Sequence, residues 1–231
     1  MNDDVYGIKK WGNDILEILE NGNIGLKNPF HPDNSPADLI KIIKSLNERG
    51  ISCPVLLRVT DYLAFRIKQI NNSFFRAIRE IRYKGEYKGV FPVKVNQQAQ
   101  VIDRIVEFGK EFDFGLEVGS KPELLIALAH DLSANSTIIC NGIKDREFIH
   151  LAILSIKIGF KTILVLESPR ELDLIIKISK ELNVRPLLGI RVKLTNKVSG
   201  NWSQSSGDRS AFGLSVEQVM EVINKLKIYD Y

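Results

Sequence analysis

Lys94 lies inside a run of β-formers, "VFPVKVNQQ" at residues 90–98. Read as a strand, Val90, Pro92, Lys94 and Asn96 point one way, and Phe91, Val93 and Val95 point the other. Lysine is rarely buried unless something pairs with it or reacts with it. Other chemically capable side chains close other strand-like runs. Glu117 follows "FDFGL", Asn141 follows "STIIC", Glu167 follows "KTILVL", and Arg191 and Lys193 follow "RPLLGI". A lysine, an acid and an arginine at separate strand mouths are the inventory of a site where an amine forms a Schiff base and anionic groups are held. Each also has an ordinary reading. Lys94 fits an edge or surface residue, Glu117 a helix-start acid favoured by the macrodipole, and Arg191 a structural ion pair. His31 stands at neither a strand mouth nor a metal spacing, and His130 and His150 fall in helical patterns.

The elements that must position these residues alternate. Residues 1–34, rich in Asn, Gly and Pro, predict short strands and turns, with Tyr6 and Trp11 as packing anchors. "SPAD" at 35–38 opens a short helix running to about Glu48. From residue 51 a strand–helix rhythm begins. "CPVLLRVT" predicts a strand, and the next segment a helix striped by Leu63, Ile67, Ile70, Phe74 and Ile78. "KGVFPVKVN", "FDFGLEV", "STIICNG", "KTILVLE" and "RPLLGIRVKL" predict further strands, each followed by a helical pattern. The pairs Ser120/Glu123, Ser168/Glu171 and Ser215/Gln218 each fit a capping box, and Pro169 takes a first helical position.

Continuous apolar strands alternating with helices imply a parallel sheet covered by helices. A doubly wound open sheet and a (β/α) barrel both satisfy that pattern. The nucleotide loops GxGxxG and GxxxxGK[ST] are absent. About five strand–helix units follow residue 84, and a barrel needs eight. As a barrel, the sequence is a fragment. The division expected is an N-terminal β-rich segment, 1–50, and a barrel portion, 51–231.

Composition bounds the rest. The 231 residues are 44% hydrophobic and 26% charged, as in an ordinary globular protein. A net charge of +4 argues only weakly for nucleic acid, and Arg76, Arg79, Arg82 and Lys84 fit one solvated helix face. Cys53 and Cys140 are far apart, without a CxxC, and both read as small core residues in strand-like contexts. The N-terminus lacks a signal-peptide core, and the greasiest segment is broken by His150, Lys157 and Lys161. The expectation is a cytoplasmic protein with no membrane or nucleic-acid partner.

"GVFPVKVNQ" resembles the cofactor-lysine strand of the fold-type III pyridoxal-phosphate decarboxylases. "FGLEVGSKPELLIAL", "ICNGIKDREFI", "VLESPRELDLI" and "RPLLGIRVKL…SG…SGDRSAFGL", in that order and spacing, resemble the biosynthetic arginine decarboxylases, as does the opening "YGIKKWGN". The resemblance implies an alanine racemase-like (β/α)8 barrel, here incomplete, that converts L-arginine to agmatine and CO2 for polyamine synthesis. It implies pyridoxal 5′-phosphate as cofactor, magnesium as a family requirement, and a homo-oligomer when intact. Lys94 matches the lysine that carries the cofactor, Glu117 an acid near it, and Arg191 an arginine on the cofactor rim. Thr195 to Ala211 matches a mobile active-site loop. The family's HxHxGSQ segment, glycine-rich phosphate turn, C-terminal β domain and cysteine–aspartate contribution would lie beyond Tyr231. A partly desolvated strand mouth is expected to help Lys94 supply an unprotonated amine. The alternatives are another basic amino acid as substrate, and a non-catalytic remnant that serves as an interaction surface.

Overall fold

The computed structural model describes residues 5–193 and 212–229. The loop read at 195–211 lies outside them. The chain divides into two compact units, one ending at Ile70 and the other starting at Asn71.

In the first unit, a short helix α1 (Ile8–Trp11) precedes an antiparallel sheet of β1 (Leu16–Ile18), β2 (Ile24–Leu26) and β3 (Ala37–Asp38), in the order β1-β2-β3. Helix α2 (Leu39–Glu48) starts at Asp38, whose carboxylate accepts the Ile40 and Lys41 amides. The Asn21 and Asn23 side-chain amides donate to its second oxygen at 3.1 and 2.9 Å. These donors, the Asn23 amide first, outweigh the burial that favours the neutral acid and hold its pKa down at about 2. Residues 53–59, expected as a strand, contain no strand and join no ladder among the described residues. Pro54 offers no amide to a ladder, and Leu56 and Leu57 are exposed. Cys53 is exposed as well, so the expectation of a core thiol holds for Cys140 alone. Helix α3 (Thr60–Glu80) spans the division between the units.

The second unit is a five-stranded parallel sheet: β4 (Val90–Pro92), β5 (Gly115–Val118), β6 (Thr137–Cys140), β7 (Lys161–Leu166) and β8 (Leu187–Ile190). The order is β4-β5-β6-β7-β8, each strand beside its predecessor. A doubly wound sheet reverses its order at a switch point, whereas a (β/α) barrel does not. The sheet therefore has barrel order, with five of the eight strands. Helices α4 (Ala99–Gly109), α5 (Lys121–Leu128), α6 (Arg146–Lys157) and α7 (Pro169–Leu182) cross between strands, and α8 (Val216–Ile228) follows β8.

Side chains along β5, β6 and β7 alternate in burial over their later residues, as a pleated strand requires. Leu116, Val118, Ile138, Cys140, Leu164 and Leu166 are fully buried, together with Ile102, Leu124, Ile149, Ile153, Leu172 and Ile175 from the helices. Each such aliphatic side chain contributes about 1.5–3 kcal/mol by leaving water. The opposite face carries Glu117, Ile139, Ile163 and Val165, all half-buried. Glu117 thus lies on the face turned away from the helix-packed core.

The run containing Lys94 is shorter as a strand than its composition suggests. It ends at Pro92, and Val93–Val95 form one 3-10 turn closed by the Asn96 amide on the Val93 carbonyl. Val93 is fully buried, while Lys94 and Val95 are exposed. The period-2 alternation stops where proline removes a ladder donor.

The depressed Asp38 pKa gives an acid-stability prediction. A group whose folded pKa lies below its unfolded value stabilises the fold above the unfolded pKa, and that contribution is lost as pH falls through the folded one. Denaturation of wild type and D38N across pH 5 to about 2 should show the wild-type advantage shrinking as pH falls. A constant difference would contradict this origin of the cap's strength.

Candidate functional site

The mouths of β4 to β8 and the turns after them surround a cleft of about 740 Å³. Its size suits a cofactor or a small substrate. Lys94, Glu117 and Arg191 all line it, so the structure brings together the three residues singled out in the sequence. Asn141 and Gly142 line it too, with Val165, Ile143 and Phe212 supplying apolar wall.

Lys94 reaches the cleft from the 3-10 turn after β4. It is exposed rather than desolvated, and its amine has no hydrogen-bond or ion-pair partner among the described residues. The burial expected around it is therefore not supplied by these residues. Glu117 stands opposite Pro92 in the β4–β5 ladder. Its carboxylate accepts the Asn141 side-chain amide at 3.2 Å, which fixes the acid from the neighbouring strand mouth.

Two carboxylates under the rim organise the turns. Glu167, just after β7, is buried with its side chain fully covered. One oxygen accepts the Gly142 amide and the Arg191 guanidinium, both at 3.0 Å, and the other accepts the Gly213 amide at 3.1 Å. Arg191 is half-exposed and lies over the Phe212 ring, 5.2 Å from its centroid. The ion-pair reading of Arg191 is thus met, by a side chain that also lines the cleft. Gly142 (φ +74°) packs so closely on the turn after β5 that a Cβ there would meet the Gly119 carbonyl at 2.8 Å. Gly213 (φ +84°) also needs the left-handed region.

Glu171 accepts the Lys144 amide at 2.8 Å and the Glu167 amide at 2.9 Å, and pairs with the Lys144 ammonium at 3.2 Å. That ammonium is fully buried and also donates to the Gly142 carbonyl at 2.6 Å and to the Val165 carbonyl. The cap geometry differs from the expected boxes here. Ser215 and Gln218 form the complete box. Glu123 instead reaches one residue further back, to the Gly119 amide at 2.8 Å, as Glu171 reaches the Glu167 amide. Both glutamates are buried under a strand mouth, where the amide before the serine needs an acceptor. Glu123 thereby becomes a cleft wall, a role its cap spacing alone does not reveal. Lys144 and Phe212 carry no recognisable signal in the sequence. Lys193 does not line the cleft; its amide donates to the Leu214 carbonyl.

A family model described as "Pyridoxal-dependent decarboxylase, pyridoxal binding domain" matches residues 67–229. The chain belongs to this family. This pyridoxal-binding domain is 45% identical over 227 residues to the biosynthetic arginine decarboxylase of Gloeobacter violaceus, covering 98% of this chain and 35% of that protein. It is 47% identical over 222 residues to the enzyme of that name from Prochlorococcus marinus, covering 96% of this chain and 34% of the relative. The chain thus spans about a third of the length of these relatives. The crystal structure of the Campylobacter jejuni biosynthetic arginine decarboxylase superposes with a TM-score of 0.83 at 34% identity, over 98% of this chain and 35% of that one. A diaminopimelate decarboxylase from M. jannaschii shares the fold, with a TM-score of 0.68 at 22% identity, over 93% of this chain and 44% of that one. Among the described residues, no cluster of three or more His, Cys, Asp or Glu could hold a metal ion, and no helix is long and apolar enough to cross a membrane.

The buried pair under the cleft sets an order of mutational costs. K144M removes one partner of a buried ion pair and should cost about 3 kcal/mol. E171L should cost more, because the Lys144 and Glu167 amides also lose their acceptor. Urea denaturation of both variants checks the order, and a milder effect for E171L would refute it.

Proposed function

We propose that this chain supplies the cofactor lysine and half the cofactor cleft of a pyridoxal 5′-phosphate enzyme that decarboxylates L-arginine to agmatine and CO2, feeding polyamine synthesis. The observation that carries the reading is Lys94. Its amine, without a partner among the described residues, opens on a cleft lined by an acid and an arginine, in a chain 45% identical to a biosynthetic arginine decarboxylase.

The residues present fit the cofactor. The cleft has the volume for it, the Lys94 amine for its aldehyde, and a cation in Arg191 for an anionic oxygen. When bound, pyridoxal phosphate supplies an electron sink for the pair released as CO2 leaves the substrate Cα.

With the cofactor bound, Lys94 would hold it through its amine nitrogen. The exposed turn, with no hydrogen bond to the Lys94 amine among the described residues, leaves the side chain free to reach across the cleft. Glu117, oriented by Asn141, is placed on the cleft face to accept a proton from an amine or return one. Arg191 offers its guanidinium at the opposite wall, and its charge is partly balanced by Glu167. Val165, Ile143 and Phe212 limit water around the reacting carbon.

The acids that read the substrate guanidinium are assigned to segments of the complete enzyme outside this chain, since Glu117 and Glu123 already accept from Asn141 and from Gly119 and Ser120. The intact enzyme is proposed to be a cytoplasmic homo-oligomer. No step is assigned to magnesium.

Borohydride reduction of the complete protein with pyridoxal phosphate, followed by peptide mapping, should place the label on Lys94. K94A should lower CO2 release from arginine on the order of 10³-fold or more. A label on another lysine, or normal release by K94A, would defeat the proposal.

A further inference from the structure

Glu167 is a buried carboxylate whose contacts exceed what a helix start needs. The cap of α7 is made by Ser168, whose hydroxyl oxygen accepts the Arg170 amide, while Glu171 takes the Glu167 amide. The Glu167 side chain turns the other way, toward the cleft. It meets three elements there: Gly142 after β6, Arg191 after β8, and Gly213 before α8. Two of those partners, Gly142 and Arg191, line the cleft, and Gly213 adjoins a third lining residue, Phe212. Phe212 in turn packs under the Arg191 guanidinium.

These contacts act on one group. Arg191 is half-exposed, and a long side chain at a cleft rim samples many rotamers unless it is held. Glu167 restrains it from below through a charged hydrogen bond, and Phe212 restrains it from one face. The Gly213 bond fixes the backbone beside Phe212, so one carboxylate sets both restraints. Its own position is set in turn by Glu171 through the Glu167 amide.

We infer that Glu167 is a positioning residue for the cofactor cleft: it aims the Arg191 guanidinium at an anionic oxygen of the cofactor and clamps the Gly142 and Gly213 turns around it. This rests on the proposed pyridoxal phosphate site, and it assigns Glu167 no contact with the cofactor. A glutamine at 167 has one oxygen and no charge, so it cannot serve two amides and a guanidinium together.

The test uses the complete protein and pyridoxal 5′-phosphate. Equilibrium dialysis reads affinity, and visible-region circular dichroism of the bound cofactor reads its orientation. E167Q should weaken binding about tenfold, the scale on which outer partners of ligand-binding groups act, and should lose most of the visible signal. R191Q should match it. The double variant should be no more than about threefold weaker than R191Q, because the two residues act as one unit. E167D, which restores the carboxylate one methylene short, should recover part of both readouts. Wild-type affinity and dichroism in E167Q would overturn the inference. So would independent losses in the double variant that multiply to about 100-fold. Should E167Q fail to fold, the Arg191 variants decide. R191K, whose ammonium still pairs with Glu167, should bind more tightly than R191Q, and equal affinities would overturn the inference. The borohydride label separates the two readings. No label on Lys94 in wild type defeats the cofactor site itself. A label on Lys94 with an unaffected E167Q defeats the role of Glu167 alone.

Discussion

Two charges out of reach of water hold the mouth of the parallel sheet together: the Lys144 ammonium and the Glu171 carboxylate. Burying an ion costs several kcal/mol even after relaxation, so such a pair persists only where hydrogen bonds satisfy both groups. Here they do. The ammonium reaches two backbone carbonyls besides the carboxylate, and the carboxylate takes two backbone amides besides the ammonium. The pair therefore ties the turn after β6 to the end of β7 and the start of α7. The gain is geometric more than energetic, because apolar residues could fill the same volume without fixing any turn.

The polar layer above inherits this geometry. Glu171 sets the Glu167 amide, and the Glu167 side chain sets Arg191 and two glycine amides. Glu123 repeats the arrangement two strands away, where it takes the amide before its own serine. In each case a glutamate from the first turn of a helix reaches back beneath the preceding strand. The site thus stands on helix starts as well as strand ends. The parallel strand direction adds the last requirement, since it puts all five mouths on one edge of the sheet.

Much of this was legible from periodicity. The spans of α7 and α8 follow from Pro169 and Ser215 at their starts and from the apolar stripes behind them. Strands β5 to β8 follow from short apolar runs between turn residues. Lys94, Glu117 and Arg191 were legible as strand-mouth residues, although Lys94 arrives there on a 3-10 turn. What failed had physical causes. The run from Cys53 to Val59 has strand composition but no strand to pair with among the described residues, and propensity without a ladder forms no strand. Glu123 and Glu171 looked like ordinary cap partners because the spacing of a capping box does not reveal which amide the carboxylate reaches. Lys144 gave no hint of its burial, since its three acceptors come from three separate places in the sequence.

Arg191 and Leu214 are also joined through their backbones. The Leu214 amide donates to the Arg191 carbonyl at 2.7 Å, and the Lys193 amide returns to the Leu214 carbonyl at 2.9 Å. Residues 191–193 and 214 are therefore tethered side by side. Closing a chain between fixed anchors costs only about 0.6 kcal/mol for each doubling of its length. A change of chain length between those anchors therefore costs the sheet little in closure entropy.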